Sequence, residues 1–226
     1  MGLSENWERL KAKQGVASPS KEKNVSKLRN HKGVKNEIKL KPPAVKKLST
    51  RKSPLEVYLW GTDQHPGKDA VGKFVAIDCE FVGVGDNDKS VLARVSLVNY
   101  YGVILLDTFV KPEKSHKLAN SGFRNAQEKV KSIISGRTLV GHALGGDLKC
   151  LEIKHPRKKI RDTSKYSGFR VATKGHPPSL KKLVLEHFNF EIQKGQHSSV
   201  EDARATMALF RKFKSEIDSE AITKYK

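Results

Sequence analysis

A chain of 226 residues with 44 Lys and Arg against 24 Asp and Glu carries a formal charge of +20. That length accommodates one domain of roughly 150 residues and an appendage, and a hydrophobic share of 37% lies below the ~45–50% usual for globular chains, so part of the chain buries nothing. No apolar run approaches the ~20 residues of a membrane span, and Met1 to Asn6 shows neither the apolar core of a secretory signal nor a myristoylation pattern, so the expectation is a protein neither secreted nor membrane-spanning.

Residues 1–52 hold 15 Lys and Arg against 4 Asp and Glu, a net of +11, while the remaining 174 hold 29 against 20, a net of +9. Trp7 is the only aromatic residue of that first segment. Such a composition cannot offset the entropy of ordering, so residues 1–70 are expected to form a disordered basic tail and linker. Its clusters Lys46-Lys47 and Arg51-Lys52 suit phosphate contacts or nuclear import, since dense positive charge is the footprint of a polyanion partner; a solubilising tail with no specific partner is the alternative. The two cysteines, Cys79 and Cys150, make no disulfide framework and are read as free thiols without a disulfide partner.

From Val71 the pattern changes. Phe74 to Val82 is a strand-length apolar run interrupted by two acids. Val91–Val98 and Val103–Val110 read as two further strands, with Asn99-Tyr100-Tyr101-Gly102 as the hairpin turn between them. Ala126, Val130, Ile133 and Ile134 fall on one helical face that stops at Gly136. A short strand at Thr138–His142, a short helix at Asp147–Ile153 and a fifth strand at Lys159–Asp162 follow. Ser179 caps a helix carrying Leu180, Leu183, Val184 and Phe188, and a last helix after Ser198 places Ala203, Met207 and Phe210 on one stripe. The expectation is a mixed α/β domain over 71–218, with 219–226 as a C-terminal tail.

Asp78 and Glu80 are two apart on that first strand, so both side chains leave the same face. Paired carboxylates in apolar surroundings repel and resist desolvation; a cation between them removes both penalties, and an edge strand whose acids face water is the alternative. Asp147 follows Gly141-His142-Ala143-Leu144-Gly145-Gly146, where a strand gives way to a helix. There it is either a site residue or a first-turn acid matched to the helix dipole. In His197-Ser198-Ser199-Val200-Glu201-Asp202, Ser198 with Glu201 reads as a capping box. That places His197 on the preceding loop and Asp202 in the first turn. Asp-x-Glu, a later Asp, and His-x4-Asp opening the last helix form an ordered set more specific than any member.

The set resembles the DEDD exonucleases of the His-containing subgroup. The strings Ala76 to Val84, Leu92 to Ser96, Leu139 to Leu144, Ile160 to Thr163 and His197 to Met207 are similar to the eukaryotic RNA exonuclease 4 family, over about Lys73 to Lys214. The resemblance implies an RNase H-like fold with a mixed five-stranded sheet flanked by helices. It implies a metal-dependent 3′→5′ exoribonuclease that releases nucleoside 5′-monophosphates from single-stranded RNA 3′ ends. Asp78, Glu80, Asp147 and Asp202 would be ligands of two Mg²⁺ ions, with Mn²⁺ able to substitute, and His197 the general base. Phe81 and His142 would touch substrate, although a structural role fits His142 equally well. The family further implies ribosomal RNA precursors as substrate and a nuclear, nucleolar location. Relatives usually carry a longer stretch where residues 113–125 stand here. A second reading is therefore an RNA-binding ribosome assembly factor with the nuclease fold and impaired catalysis.

Among other candidates, Asp107 lacks a paired acid and Asp162 reads as a capping or positioning group. His155, His176 and His187 have no ligand partners at useful spacing, and Arg157-Lys158-Lys159 and Lys181-Lys182 read first as solvated basic faces.

Overall fold

Alternation of side chains along β1 (Phe74–Val84) divides the molecule into two halves. The computed structural model describes residues 69–84, 89–111, 121–171, 175–194 and 197–224. The basic tail, apart from Asp69 and Ala70, and the connection 112–120 lie outside the described residues. β1 pairs antiparallel with β2 (Lys89–Asn99), which pairs antiparallel with β3 (Ile104–Phe109). On its other side β1 runs parallel to β4 (Thr138–Gly141), and β4 parallel to β5 (Ile160–Asp162). The order β3-β2-β1-β4-β5 puts β1 in the middle of a mixed five-stranded sheet, so Asp78 and Glu80 are not acids of an edge strand.

Val75, Ile77 and Cys79 join Leu92, Val95 and Leu97 in a core covered by Ala126, Val130 and Ile134 of α1 (Ser121–Ile134). Ala76 instead joins Val98 and Val140 against Ala203, Met207 and Phe210 of α5 (Ser199–Lys212). The opposite flank of α5, through Ala205 and Leu209, packs on Leu180, Leu183 and Val184 of α4 (Leu180–Phe188). One helix buried on two sides needs small residues, which is why α5 reads Ala-rich. Asn99 makes the β2–β3 turn: its side-chain oxygen accepts from Tyr101 and Val103 N–H at 2.9 and 3.0 Å, and Gly102 takes φ of 83°.

Gly141 ends β4 where the chain must fold back on itself. A Cβ there would meet the Leu144 side chain, and Leu144 is 1% exposed in the core. Ala143 takes a left-handed φ of 63°, so this turn sets where α2 (Gly145–Cys150), the carrier of Asp147, begins. Gly141→Ala is expected to cost about 1–3 kcal/mol through overpacking, read as a lower melting temperature. Leu144→Ala in the same chain should recover none of that as core volume, but should relieve the clash, giving a non-additive pair.

Beyond β5 lie α3 (Ser167–Arg170) and, at the C-terminal end, α6 (Lys214–Lys224), which runs past residue 218 into what the sequence suggests is a tail. Asp218 accepts from Arg161 Nε at 2.5 Å, and Glu220 accepts from Ser167 N–H and Oγ at 3.0 and 2.7 Å. These bonds fasten α6 to the β5 edge.

Candidate active site

The α5 face of β1 continues from Ala76 into Asp78, opposite Ser96 of β2, and Glu80, opposite Arg94. Apolar packing thus gives way to carboxylates where the strand reaches the start of α5. A helix start presents N–H groups without intrahelical partners; that of Ser199 donates to Glu80 Oε1 at 2.8 Å. Asp202, in the first turn, accepts at both carboxylate oxygens from Gln193 Nε2, each at 3.0 Å. His197 Nδ1 stands 3.7 Å from Asp202 Oδ2 with its side chain 66% exposed. Asp147 is buried in α2 and accepts from the Cys79 thiol.

The capping box is not formed: among the described residues Ser198 holds the N-cap position without a side-chain cap bond. Glu201 turns instead to accept from Gln193 N–H at 3.0 Å, holding Gln193 at a φ of 58° that residues other than glycine rarely adopt. His197 and Asp202 still flank the helix start as the motif requires. Gln193 is a site neighbour that the sequence does not single out.

The electrostatics gather on Asp78. Burial raises its carboxyl well above the usual range, and the charges of Asp147, Asp202 and Glu80 raise it further. Asp147 is pushed up to about 7, chiefly by desolvation, which the Cys79 bond opposes. Asp202 is pushed up to about 6, again by desolvation first, with Gln193 and His197 opposing. Among the described residues no group of three or more His, Cys, Asp or Glu is arranged to hold a metal ion as it stands. The donor set fits one nonetheless. Its oxygens are hard, partly desolvated and mutually repelling, which is the chemistry a divalent cation relieves.

Phe81 follows Glu80 at an irregularity of the β1–β2 register and is 38% exposed. His142 is tied into the protein: Nε2 lies 3.1 Å from the Pro178 carbonyl and Nδ1 2.9 Å from Thr163 Oγ1. A carbonyl only accepts, so Nε2 carries the proton, and burial keeps the ring towards the neutral form. With both nitrogens engaged, the geometry favours the structural alternative for His142. Asp162 accepts from Ala143 N–H at 2.9 Å and from Ser164 N–H and Oγ at 3.1 and 2.7 Å, a positioning role. Asp107 meets Arg94 in a fork at 2.7 Å per bond. His155 bonds the Arg137 carbonyl, His187 packs on Phe169 and Phe213, and His176 is exposed; none of the three is brought to the acids. Cys79 and Cys150 are free thiols.

No family model matches the chain. It is 37% identical to RNA exonuclease 4 of Debaryomyces hansenii over 257 residues, covering 96% of this chain and 93% of that protein. The chain belongs to the RNA exonuclease 4 family. The family protein of Candida albicans is 50% identical over 162 residues, and that of Saccharomyces cerevisiae 49% over 164. These matches cover 65% and 66% of this chain, which spans 57% of the length of each relative. Among solved structures, the Saccharomyces cerevisiae Pan2 pseudoubiquitin hydrolase–RNA exonuclease module in complex with A7 RNA superposes with a TM-score of 0.56. The identity is 26%, covering 72% of this chain and 32% of that one. The Neurospora crassa Pan2 catalytic unit, 24% identical with a TM-score of 0.55, matches in fold. The mixed sheet with its flanking helices is thus RNase H-like, as the family resemblance implies.

Proposed function

We propose that this RNA exonuclease 4 family chain is a Mg²⁺-dependent 3′→5′ exoribonuclease. The observation that carries the reading is the burial of Asp78 within reach of the charges of Asp147, Asp202 and Glu80. The Glu80 carboxylate is seated on the start of α5 through Ser199 N–H at 2.8 Å, and His197 Nδ1 lies 3.7 Å from Asp202. The relatives' names and the RNA-bound Pan2 modules support RNA as the substrate.

Asp78, Glu80, Asp147 and Asp202 would hold two Mg²⁺ ions, or Mn²⁺ in their place; bound there, they supply water activation and neutralisation of charge on the leaving oxygen. His197, exposed and beside Asp202, takes the proton of the attacking water. The water oxygen bonds to phosphorus, the P–O3′ bond breaks, and O3′ takes a proton from solvent to become the 3′-hydroxyl of a strand one residue shorter as a nucleoside 5′-monophosphate leaves. Phe81 offers its ring to a terminal base, since stacking holds single strands without reading sequence. The +11 segment of residues 1–52 supplies sequence-independent attraction for phosphates. The proposal extends to ribosomal RNA precursors as substrate and a nucleolar place of action, as the sequence resemblance implies. Among the described residues no helix is long and apolar enough to cross a membrane.

Single-stranded RNA and DNA labelled at either end, incubated with Mg²⁺, Mn²⁺ or chelator, test the reading. A 3′ label should leave at once as mononucleotide, a 5′ label should report a shrinking ladder, and chelator should stop both. RNA binding without cleavage would identify an assembly factor with the nuclease fold instead.

A further inference from the structure

Glu80 is held by more than its own strand. Asp107 of β3 accepts from Arg94 Nε and Nη2 at 2.7 Å each, and from Ser96 Oγ at 2.8 Å. Ser96 Oγ in turn lies 2.7 Å from Ser199 Oγ, both buried. An ionised Asp107 can only accept, so Ser96 gives it its one proton and accepts from Ser199. Ser199 N–H donates to Glu80 Oε1 at 2.8 Å, and Arg94 Nη1 stands 3.7 Å from the same oxygen. The contacts close a ring through Glu80, Ser199, Ser96, Asp107 and Arg94 that spans three strands and the first turn of α5. Arg94 is 7% exposed, its guanidinium 4.7 Å over the Phe109 ring. With its fork filled by Asp107, it has one orientation, the one that faces Glu80.

We propose that Asp107 is a positioning residue for Glu80, acting through Arg94 on one side and the Ser96–Ser199 hydroxyl pair on the other. It fixes the carboxylate in the orientation from which it serves a divalent cation. The proposal rests on the metal-dependent reading above. The competing explanation is an inter-strand ion pair that only holds β2 to β3.

Mn²⁺ binding to the full chain, followed by the electron paramagnetic resonance signal of the free ion, separates the two. Asp107→Asn keeps the shape and removes the charge, and circular dichroism confirms the temperature at which each variant is folded. Its Mn²⁺ affinity should fall about 10- to 100-fold, the usual cost of losing an outer partner of a ligand, with KM for RNA nearly unchanged. Glu80→Gln should also weaken binding, and Asp107→Asn added to it should weaken it no further. Ser96→Ala, which deletes one hydroxyl, should move affinity in the same direction by less, and it carries the comparison if Asp107→Asn does not fold. Unchanged Mn²⁺ affinity in the folded Asp107→Asn variant, or an equal loss with and without Glu80→Gln, overturns the proposal while leaving the metal-dependent reading intact. A wild-type chain that neither binds Mn²⁺ nor cleaves RNA overturns both.

Discussion

Asp78→Asn is expected to abolish RNA cleavage, a loss of about 10³-fold or more, while raising the melting temperature of the metal-free protein. The two effects have one cause. Asp78 is the residue on which the charges of Asp147, Asp202 and Glu80 all bear, so on the proposed metal-dependent reading it is the acid that gains most from a cation and is most penalised without one. Metal-assisted charge stabilisation contributes several kcal/mol to a transition state, and each 1.36 kcal/mol is tenfold in rate. Asn keeps the shape and removes the repulsion. The pH dependence follows with its sign. Asp147 and Asp202 have folded values pushed up to about 7 and about 6, above the ordinary carboxyl range near 4. The folded state therefore binds more protons than the unfolded one between about pH 4 and 7, and stability contributed by these groups declines as pH rises through that window. Mg²⁺ acts in the opposite sense, because its ligands must be deprotonated. Thermal melts in chelator should fall from pH 4 to 7, with a shallower slope for Asp78→Asn, and Mg²⁺ should raise the wild-type melting temperature more at pH 8 than at pH 5. A variant that cuts at the wild-type rate, or melts lower in chelator, sinks the assignment of Asp78.

The site was legible in the sequence where chemistry forces residue type and spacing together. An acid pair on one strand and a His-x4-Asp at a helix start point to β1 and to the start of α5, and the structure sets those two places side by side, with Ser199 N–H on Glu80 Oε1 at 2.8 Å. The sheet was legible for a similar reason: Asn99 and Gly102 mark a turn that few other residues can make. What stayed hidden depended on partners remote in sequence. Asp107 looks isolated along the chain because its partners, Arg94 and Ser96, lie across a strand pairing whose register no single strand reveals. Ser198 and Glu201 have capping-box spacing, yet Glu201 goes to Gln193, because a backbone N–H held at positive φ competes for it. The continuation of α6 escaped because Ile217 is its one buried residue among those described. Its hold on the domain comes from Asp218 and Glu220, which periodicity does not detect.

His197→Ala should separate chemistry from metal binding. The ring is 66% exposed on the loop before α5, so its removal should change stability by no more than about 0.5 kcal/mol, the usual range for a surface substitution. Its 3.7 Å approach to Asp202 Oδ2 is too long for a hydrogen bond, which leaves Gln193 as the group that holds that carboxylate. Mn²⁺ affinity should consequently stay close to wild type, in contrast to Asp78→Asn. Turnover should fall by about 10²- to 10⁴-fold, the span of a lost general base. Exposure supplies a second readout: free imidazole can reach the space the ring vacates and should restore part of the rate in a concentration-dependent way. The same addition should do nothing for Asp78→Asn, where the missing group is a carboxylate in the sheet. If His197→Ala instead loses Mn²⁺ affinity in step with turnover, and imidazole restores neither, the ring works by orienting Asp202 and the proton is taken by another group.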